Sequence, residues 1–239
     1  MTKAVTNSSN LPAIPPLRAL VFDAYGTLFN VHSVVATCET LFPGKGSALS
    51  QLWRSKQLEY SWLRSLMGRH VDFNQVTRDG LRYACEALAL PFSESALAQL
   101  ERAYRTRAPF DDAAPTLEKC RRERPAVKLA ILSNGATEML NAVVAHSKLD
   151  SLLDAVLSVD AVGIFKPDPR VYQLACDRLG LPGNEIGFVS SNGWDAAGAK
   201  AFGFTTFWIN PVGAPAEQLG LTPDRSLNSL AELPALLTA

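Results

Sequence analysis

Four short polar segments, far apart in the chain, carry side chains able to do chemistry. They are Asp23-Ala-Tyr-Gly-Thr27, Ser133-Asn-Gly135, Lys166-Pro167 and Ser190-Ser-Asn-Gly-Trp-Asp195. A carboxylate such as Asp23 or Asp195 can act as a nucleophile or a base. A lysine nearby favours its charged form, and a helix entry such as Ser133-Asn134 suits an anion. Each segment also has an ordinary structural reading. Asp23 suits a turn, Ser133-Asn134 a helix-entry loop, Lys166 the surface and Asp195 a helix cap. Other chemistries are poorly served. The three histidines, His32, His70 and His146, are isolated, so neither a His-based triad nor a metal cage is expected. The four cysteines, Cys38, Cys85, Cys120 and Cys176, contain no C-x-x-C pair. That argues against a zinc site and a disulfide framework, and makes a reducing cytoplasm the default compartment.

The elements that must position these segments follow from hydrophobic patterning. Residues 1–16, with Pro12, Pro15 and Pro16, read as a flexible tail. Leu17–Phe22 is a short apolar run that suits a buried parallel strand, ending at Asp23. From 31 to 111 apolar residues recur at helical spacing: Leu49, Leu52, Leu63, Leu66, then Leu81, Cys85, Leu88, then Leu97, Leu100. Breaks at Phe42-Pro-Gly44, near Asp72-Phe73 and at Pro91 divide this block into about four helices. After 112 helices alternate with strands. Helices are expected over 114–124, 138–146, 167–179 and 196–202, and strands over 127–132, 156–159, 186–189 and 205–209, the last of them. Alternation of this kind means an α/β fold, a Rossmann-like parallel sheet covered on both faces. The expected division is a core of 17–30 and 112–239, with 31–111 inserted after the first strand as a helical cap. Ligands bind such sheets at the carboxyl ends of the strands. The four polar segments all fall there, so they should converge on one site that the inserted helices cover.

Composition narrows the function class. The chain has 239 residues, with 47% hydrophobic and 19% charged, which excludes disorder as the main state. Lys+Arg and Asp+Glu both number 23, so the basic excess of a nucleic-acid binder is missing. No apolar run approaches the ~20 residues needed to cross a bilayer. The proline-rich N-terminus has no apolar core of the signal-peptide kind.

The order Asp, Ser, Lys, Asp carries a family resemblance. Phe22-Asp-Ala-Tyr-Gly-Thr-Leu28, Leu132-Ser-Asn134, Lys166-Pro167 and Ser190–Asp195 together resemble the haloacid dehalogenase superfamily. Within it, Leu52-Trp-Arg-Ser-Lys-Gln-Leu-Glu-Tyr-Ser-Trp-Leu63 is similar to the cap stretch of the L-2-haloacid dehalogenases. The resemblance covers residues 17–239. It implies hydrolysis of a small 2-haloacid by water, without a cofactor, through an ester on Asp23. An (S)-2-haloacid would give an (R)-2-hydroxyacid, because carbon is inverted once. By the same resemblance Thr27 orients Asp23, Lys166 keeps it poised as carboxylate, and Asp195 with Ser190 and Asn192 places or activates water. Ser133, Asn134 and nearby N–H groups take the substrate carboxylate. Tyr172 matches an active-site tyrosine. Arg54 meets the departing halide, and Tyr25, Leu58, Phe73 and Trp194 wall the halogen. The family often forms homodimers through the cap.

Some positions discriminate between branches and some depart from the pattern. Superfamily phosphatases carry a second aspartate, the general acid, where this chain has Tyr25. A halide needs no proton to leave, so that loss suits a dehalogenase. Ser191-Asn192 stands where phosphatases add an acidic Mg²⁺ ligand, and neutral side chains hold Mg²⁺ poorly. Ser55 replaces a common Gln beside the arginine, which bears on halide handling; Asn30 and Gly193 replace common Asp and Ala. The alternatives are a phosphatase on the same fold, and a silent binding protein. The latter would lack Asp23, Lys166 or Asp195, and all three are present.

Overall fold

The computed structural model describes residues 13–31, 33–105 and 107–237. Most of the expected tail, residues 1–12, lies outside them. Ile14 already packs against the core.

Strand β1 (Ala19–Phe22) lies inside a parallel sheet with β2 (Lys128–Ser133), β3 (Ala155–Ser158), β4 (Ile186–Ser190), β5 (Thr205–Ile209) and β6 (Arg225–Leu227). The strand order is β3-β2-β1-β4-β5-β6. Side chains of a strand alternate between faces. Leu20 and Phe22 of β1 and Leu129 and Ile131 of β2 therefore join one buried cluster, and Ala19, Val21, Ala130 and Leu132 the other. Both faces are covered, which is why these strands read as unbroken apolar runs rather than alternating ones.

Helices α5 (Ala113–Glu123), α6 (Thr137–His146), α7 (Pro169–Leu179), α8 (Gly193–Phe202) and the short α9 (Leu233–Leu236) belong to the α/β part. Helix α7 shows its signals openly. Asp168 accepts the Arg170 N–H at 2.9 Å, Pro169 occupies the first turn, and Gly180 ends the helix at φ +65°. It begins at 169 rather than 167 because Asp168 is the cap. Two expectations need correction. The sheet does not end at 205–209, since β6 follows at its edge; three residues with one leucine are too short to carry a period. Helix α8 begins at Gly193, so Asp195 lies in its first turn and Asn192 takes the cap position.

Between β1 and α5 run α1 (Ser33–Leu41), α2 (Gly46–Leu66), α3 (Phe73–Ala87) and α4 (Glu94–Arg105), broken where Pro43, Asp72 and Pro91 stand. Leu49, Trp53, Gln57 and Ser61 of α2 are buried at four-residue spacing, one stripe of the helix. Trp53 Nε1 donates to the Thr77 carbonyl at 2.8 Å and Gln57 Nε2 to Thr77 Oγ1 at 2.9 Å. These bonds fix the rotation of α2 on α3. They leave the next residue, Arg54, beside the sheet's polar edge.

Strand order reverses between β1 and β4. Chain continuing from β1 leads to β2 on one side, and β4 lies on the other, so a crevice opens at their carboxyl ends. Asp23 N donates to Val189 O at 2.9 Å, which extends the pairing into the crevice. The turn after it needs Gly26, at φ +93°, a region costly for other residues. A close approach is needed at Gly198 of α8, where a Cβ would stand 2.6 Å from both Pro167 Cβ and the Tyr172 hydroxyl. Gly198→Ala is expected to destabilise the protein by about 1–3 kcal/mol through overpacking. Chemical denaturation checks this, and an unchanged midpoint would show that the contact yields freely.

Candidate active site

Asp23 sits at the end of β1, and each of its oxygens has its own partners. Lys166 Nζ lies 3.1 Å from Oδ1. Asn192 Nδ2 donates to Oδ2 at 2.8 Å, and Thr27 Oγ1 donates to it at 3.2 Å. Thr27 Oγ1 in turn accepts the Ser191 N–H at 2.8 Å, which ties the turn after β1 to the loop after β4. The carboxylate is thus held in one orientation from three elements, with only 6% of the residue exposed.

Lys166 bridges two carboxylates. Its Nζ lies 2.8 Å from Asp195 Oδ2 as well, and both Lys166 and Asp195 are fully buried. Burial alone would pull the ammonium down. The Asp195 and Asp23 charges outweigh that pull and hold it above its ordinary value. The backbone N–H of Lys166 donates to Asn134 Oδ1 at 2.9 Å, and the Phe188 ring lies 4.9 Å from Nζ. Asp195 takes two further donors. Tyr172 OH reaches Oδ1 at 2.8 Å, and Ser190 Oγ reaches Oδ2 at 3.3 Å. Burial pushes the Asp195 carboxyl up to about 6, against the lowering pull of Lys166. Burial and the Asp195 charge raise the Tyr172 phenol well above its ordinary value, so it stays a donor. Tyr172 and Ser190 are fully buried; Tyr172 meets Asp195, and Ser190 Oγ also accepts the Asn192 N–H at 3.1 Å.

The helical block contributes Arg54. Its guanidinium donates to Asn192 Oδ1 at 3.4 Å, so one amide faces Arg54 with its oxygen and Asp23 with its nitrogen. Phe165 N donates to Ser65 Oγ at 3.2 Å, which ties α2 to the loop that carries Lys166 as well. Arg54 also stands where two clefts meet. One, of about 640 Å³, is lined by Gly26, Thr27, Ser191, Asn192 and the chain after β5; the other, of about 500 Å³, lies against α1 and α2. Ser55 lines the second and is exposed.

The other predicted residues fall around this centre. Tyr25 is buried, and a Cβ on Gly135 would lie 2.6 Å from its ring, so ring and helix entry are in close contact. Ser133 Oγ accepts the Gly135 N–H at 3.1 Å. At the start of α6 no side chain of the cap residue Ala136 takes a helix N–H, though Asp160 Oδ2 accepts from Thr137 N at 2.8 Å. Phe73 is buried against Phe165, with centroids 6.0 Å apart. Trp194 packs edge-on to Trp62 of α2 at 5.5 Å. Leu58 is half-buried one turn beyond Arg54. Sequence reasoning missed Arg107, which is 1% exposed, with its guanidinium 5.3 Å from the Tyr25 ring centroid. An arginine in Arg-Thr-Arg-Ala-Pro109 after a helix carries no pattern that distinguishes it from a solvated one.

The arrangement is one oriented, nearly buried carboxylate, a cation shared with a second carboxylate, and a further cation above. It suits attack on carbon with departure of an anion. Comparison with known proteins agrees. The family described as haloacid dehalogenase-like hydrolase matches residues 17–203. An (S)-2-haloacid dehalogenase of Pseudomonas sp. strain YL is 50% identical over 214 residues, 90% of this chain and 91% of the relative. The crystal structure of an L-2-haloacid dehalogenase superposes with a TM-score of 0.91 at 47% identity, covering 93% of this chain and 99% of that one. The L-2-haloacid dehalogenase of Xanthobacter autotrophicus with chloropropionic acid covalently bound gives 0.86 at 43% identity, covering 92% and 98%.

The Tyr172 hydroxyl stabilises the ionised form of Asp195, so removing it must raise that carboxyl further. In Tyr172→Phe the Asp195 carboxyl is expected to titrate above the value of about 6 held in the parent protein. Carbon-13 NMR of labelled aspartate checks this; a downward shift would mean that the phenol does not donate to Asp195.

Proposed function

The chain belongs to the haloacid dehalogenase-like hydrolases, and from that premise we propose the following account of its chemistry. It is an (S)-2-haloacid dehalogenase, a hydrolase of carbon–halide bonds that converts short (S)-2-haloacids to (R)-2-hydroxyacids and halide. The observation that carries the reading is the treatment of Asp23. Its carboxylate is oriented by Lys166, Thr27 and Asn192, and no acid stands at position 25.

Asp23 attacks the halogen-bearing carbon from the face opposite the halogen. The C–X bond breaks as the ester C–O bond forms, and the halide leaves with the electron pair. Arg54 stabilises charge that appears on the halogen only as that bond breaks. Tyr25, Leu58, Phe73 and Trp194 exclude water from the halogen, which leaves the nucleophile less solvated. The substrate carboxylate is taken by Ser133, Asn134 and the N–H groups at the entry of α6. Ester formation removes the Asp23 charge, so Lys166 is left with Asp195 alone. A carboxyl at about 6 is ionised at neutral pH and suited to draw a proton from water. That water attacks the ester carbonyl and breaks the acyl C–O bond, so carbon is not inverted again. Ser55, exposed beside Arg54, tunes the halide end of the site.

The reaction needs no metal in this reading. Where a cation would require an acceptor near Asp23, Asn192 presents an N–H donor. The phosphatase alternative is not favoured. Residues 31–111 act as a cap over a core of 17–30 and 112–239. The cap also offers a face for a second copy: Leu63, Leu66, Met67 and Tyr83 of α2, its end and α3 are exposed large apolar side chains. A homodimer through this face fits them. No helix of the described residues is long and apolar enough to cross a membrane. The four buried free cysteines suit a reducing cytoplasm.

Halide release is expected from (S)- but not (R)-2-chloropropionate, and is expected to be unaffected by EDTA. In a single turnover with excess enzyme in ¹⁸O-water, the first hydroxyacid should carry unlabelled oxygen from Asp23. Solvent label in that product would mean direct attack by water. Arg54→Ala should lower kcat by about a hundredfold or more, whereas Ser55→Gln should change kcat/KM by about tenfold or less, the worth of one hydrogen bond. Leu66→Glu should convert a dimer to monomer in light scattering; a parent protein that is already monomeric would refute the interface.

A further inference from the structure

The larger cleft, of about 640 Å³, opens directly on the nucleophile. Thr27 and Asn192 both line it, and both donate to Asp23 Oδ2. Away from the cap its wall is built largely by Phe110, Trp208, Ile209, Val212 and Leu230. Polar groups of this wall are already engaged with one another. Asn210 exchanges two hydrogen bonds with the Ala214 backbone, each 2.9 Å. Asp112 Oδ2 accepts from Ser229 Oγ at 2.7 Å and from Leu230 N at 3.1 Å. Trp208 Nε1 donates to the Ser191 carbonyl at 3.2 Å. Such a wall rewards an apolar guest, since a polar one would have to break bonds to make its own. Clefts of roughly 300–1,000 Å³ hold molecules of drug size, so this one exceeds what a very short acid fills.

The rim of the cleft carries an acid. The chain is exposed from Pro211 through Gly220, and within it Glu217 returns to the start of α8. Gly193 makes room for that return. A Cβ there would stand 3.0 Å from Glu217 Cγ and 3.4 Å from its Oε1. Gly193 adjoins Asn192, and Glu217 follows Ala214 closely, so the contact joins two stretches that line the cleft. A second carboxylate on the tail of a ligand would meet the charges of Glu217 and Asp112, and like charges repel.

We propose that this cleft takes the carbon chain of the 2-haloacid, and that Glu217 sets specificity there, so that acids with a longer apolar tail are accepted and acids with a second carboxylate are rejected. The proposal rests on the dehalogenase reading for the reaction and deepens it by naming the substrate class. Glu217 acts through its charge at the rim and touches no reacting atom.

The test uses unreactive acids on the full-length protein, so that binding is read apart from turnover. Calorimetry gives dissociation constants for propionate, hexanoate and succinate. Each added methylene from propionate to hexanoate is expected to tighten binding about twofold or more, as burial of a CH₂ does. Ala214→Phe, at an exposed position of the lining, should abolish that gain while leaving propionate within about twofold. Glu217→Gln should tighten succinate about threefold or more at low salt and leave propionate unchanged. With substrates, the same variant should raise kcat/KM for (S)-2-chlorosuccinate and not for (S)-2-chloropropionate. Hexanoate that binds no more tightly than propionate, or a gain that survives Ala214→Phe, overturns the chain-binding cleft. Succinate binding unchanged in Glu217→Gln overturns the role of Glu217. If the parent protein releases no halide from any 2-haloacid yet hexanoate keeps its advantage and loses it in Ala214→Phe, the dehalogenase reading has failed and the cleft stands.

Discussion

A fully buried ammonium between two carboxylates is the constraint on which the site depends. Removing a lysine from water costs several kcal/mol, roughly, and each carboxylate removed costs the same order. The cluster is tolerable only when every member is in contact, because a buried charge left alone is far worse than a buried pair. Lys166 meets that condition at 3.1 and 2.8 Å from Asp23 and Asp195. A lysine held by both carboxylates restricts the position of each. Asp23 is therefore aimed before any ligand arrives, which is the preorganisation that covalent catalysis by a carboxylate requires.

Much of the fold reads as support for that ammonium. Asn134, just beyond β2, takes the Lys166 backbone N–H, while Phe188 of β4 lies beneath its Nζ. Tyr172 of α7 and Ser190 of β4 hold Asp195, and the hydrogen-only side of Gly198 lets Tyr172 and Pro167 approach α8. Residues from the end of β2 and from β4, α7 and α8 thus converge on Lys166 and its partner Asp195. The parallel sheet makes such convergence inexpensive in chain length, because all its strands end at the same edge.

The polar segments were legible in the sequence because all four follow apolar runs at strand ends of one sheet; each alone reads as a turn or a cap, and it is their common edge that points to a site. The insertion was legible because its breaks, at Pro43, Asp72 and Pro91, are strong punctuation. Strand β6 was not, since Arg225-Ser-Leu227 is too short for a period, and its place depends on pairing with β5. Tyr172 was ambiguous for a different reason. An aromatic residue on an amphipathic helix looks the same whether its hydroxyl meets a buried acid or water. Arg107 was invisible, because its burial against the Tyr25 ring joins residues 82 positions apart and leaves no pattern among its neighbours in sequence.

Asn192 shows how one neutral side chain joins the two halves of the proposed chemistry. Its amide gives Asp23 Oδ2 a hydrogen at 2.8 Å and offers Arg54 an oxygen at 3.4 Å. A carboxylate in the same place would set a like charge against the nucleophile and bind Arg54 as a charge-assisted pair, roughly twice as strong as a neutral contact. Both effects would oppose dehalogenation. The nucleophile would be repelled from its aligned position, or would need a metal ion between the two acids. The guanidinium would be held away from the halogen. A neutral amide aligns Asp23 and keeps Arg54 near without competing with a departing halide for its charge. One neutral amide thus suits both demands of the proposed chemistry, a nucleophile aligned without a metal and a guanidinium left available to a halide.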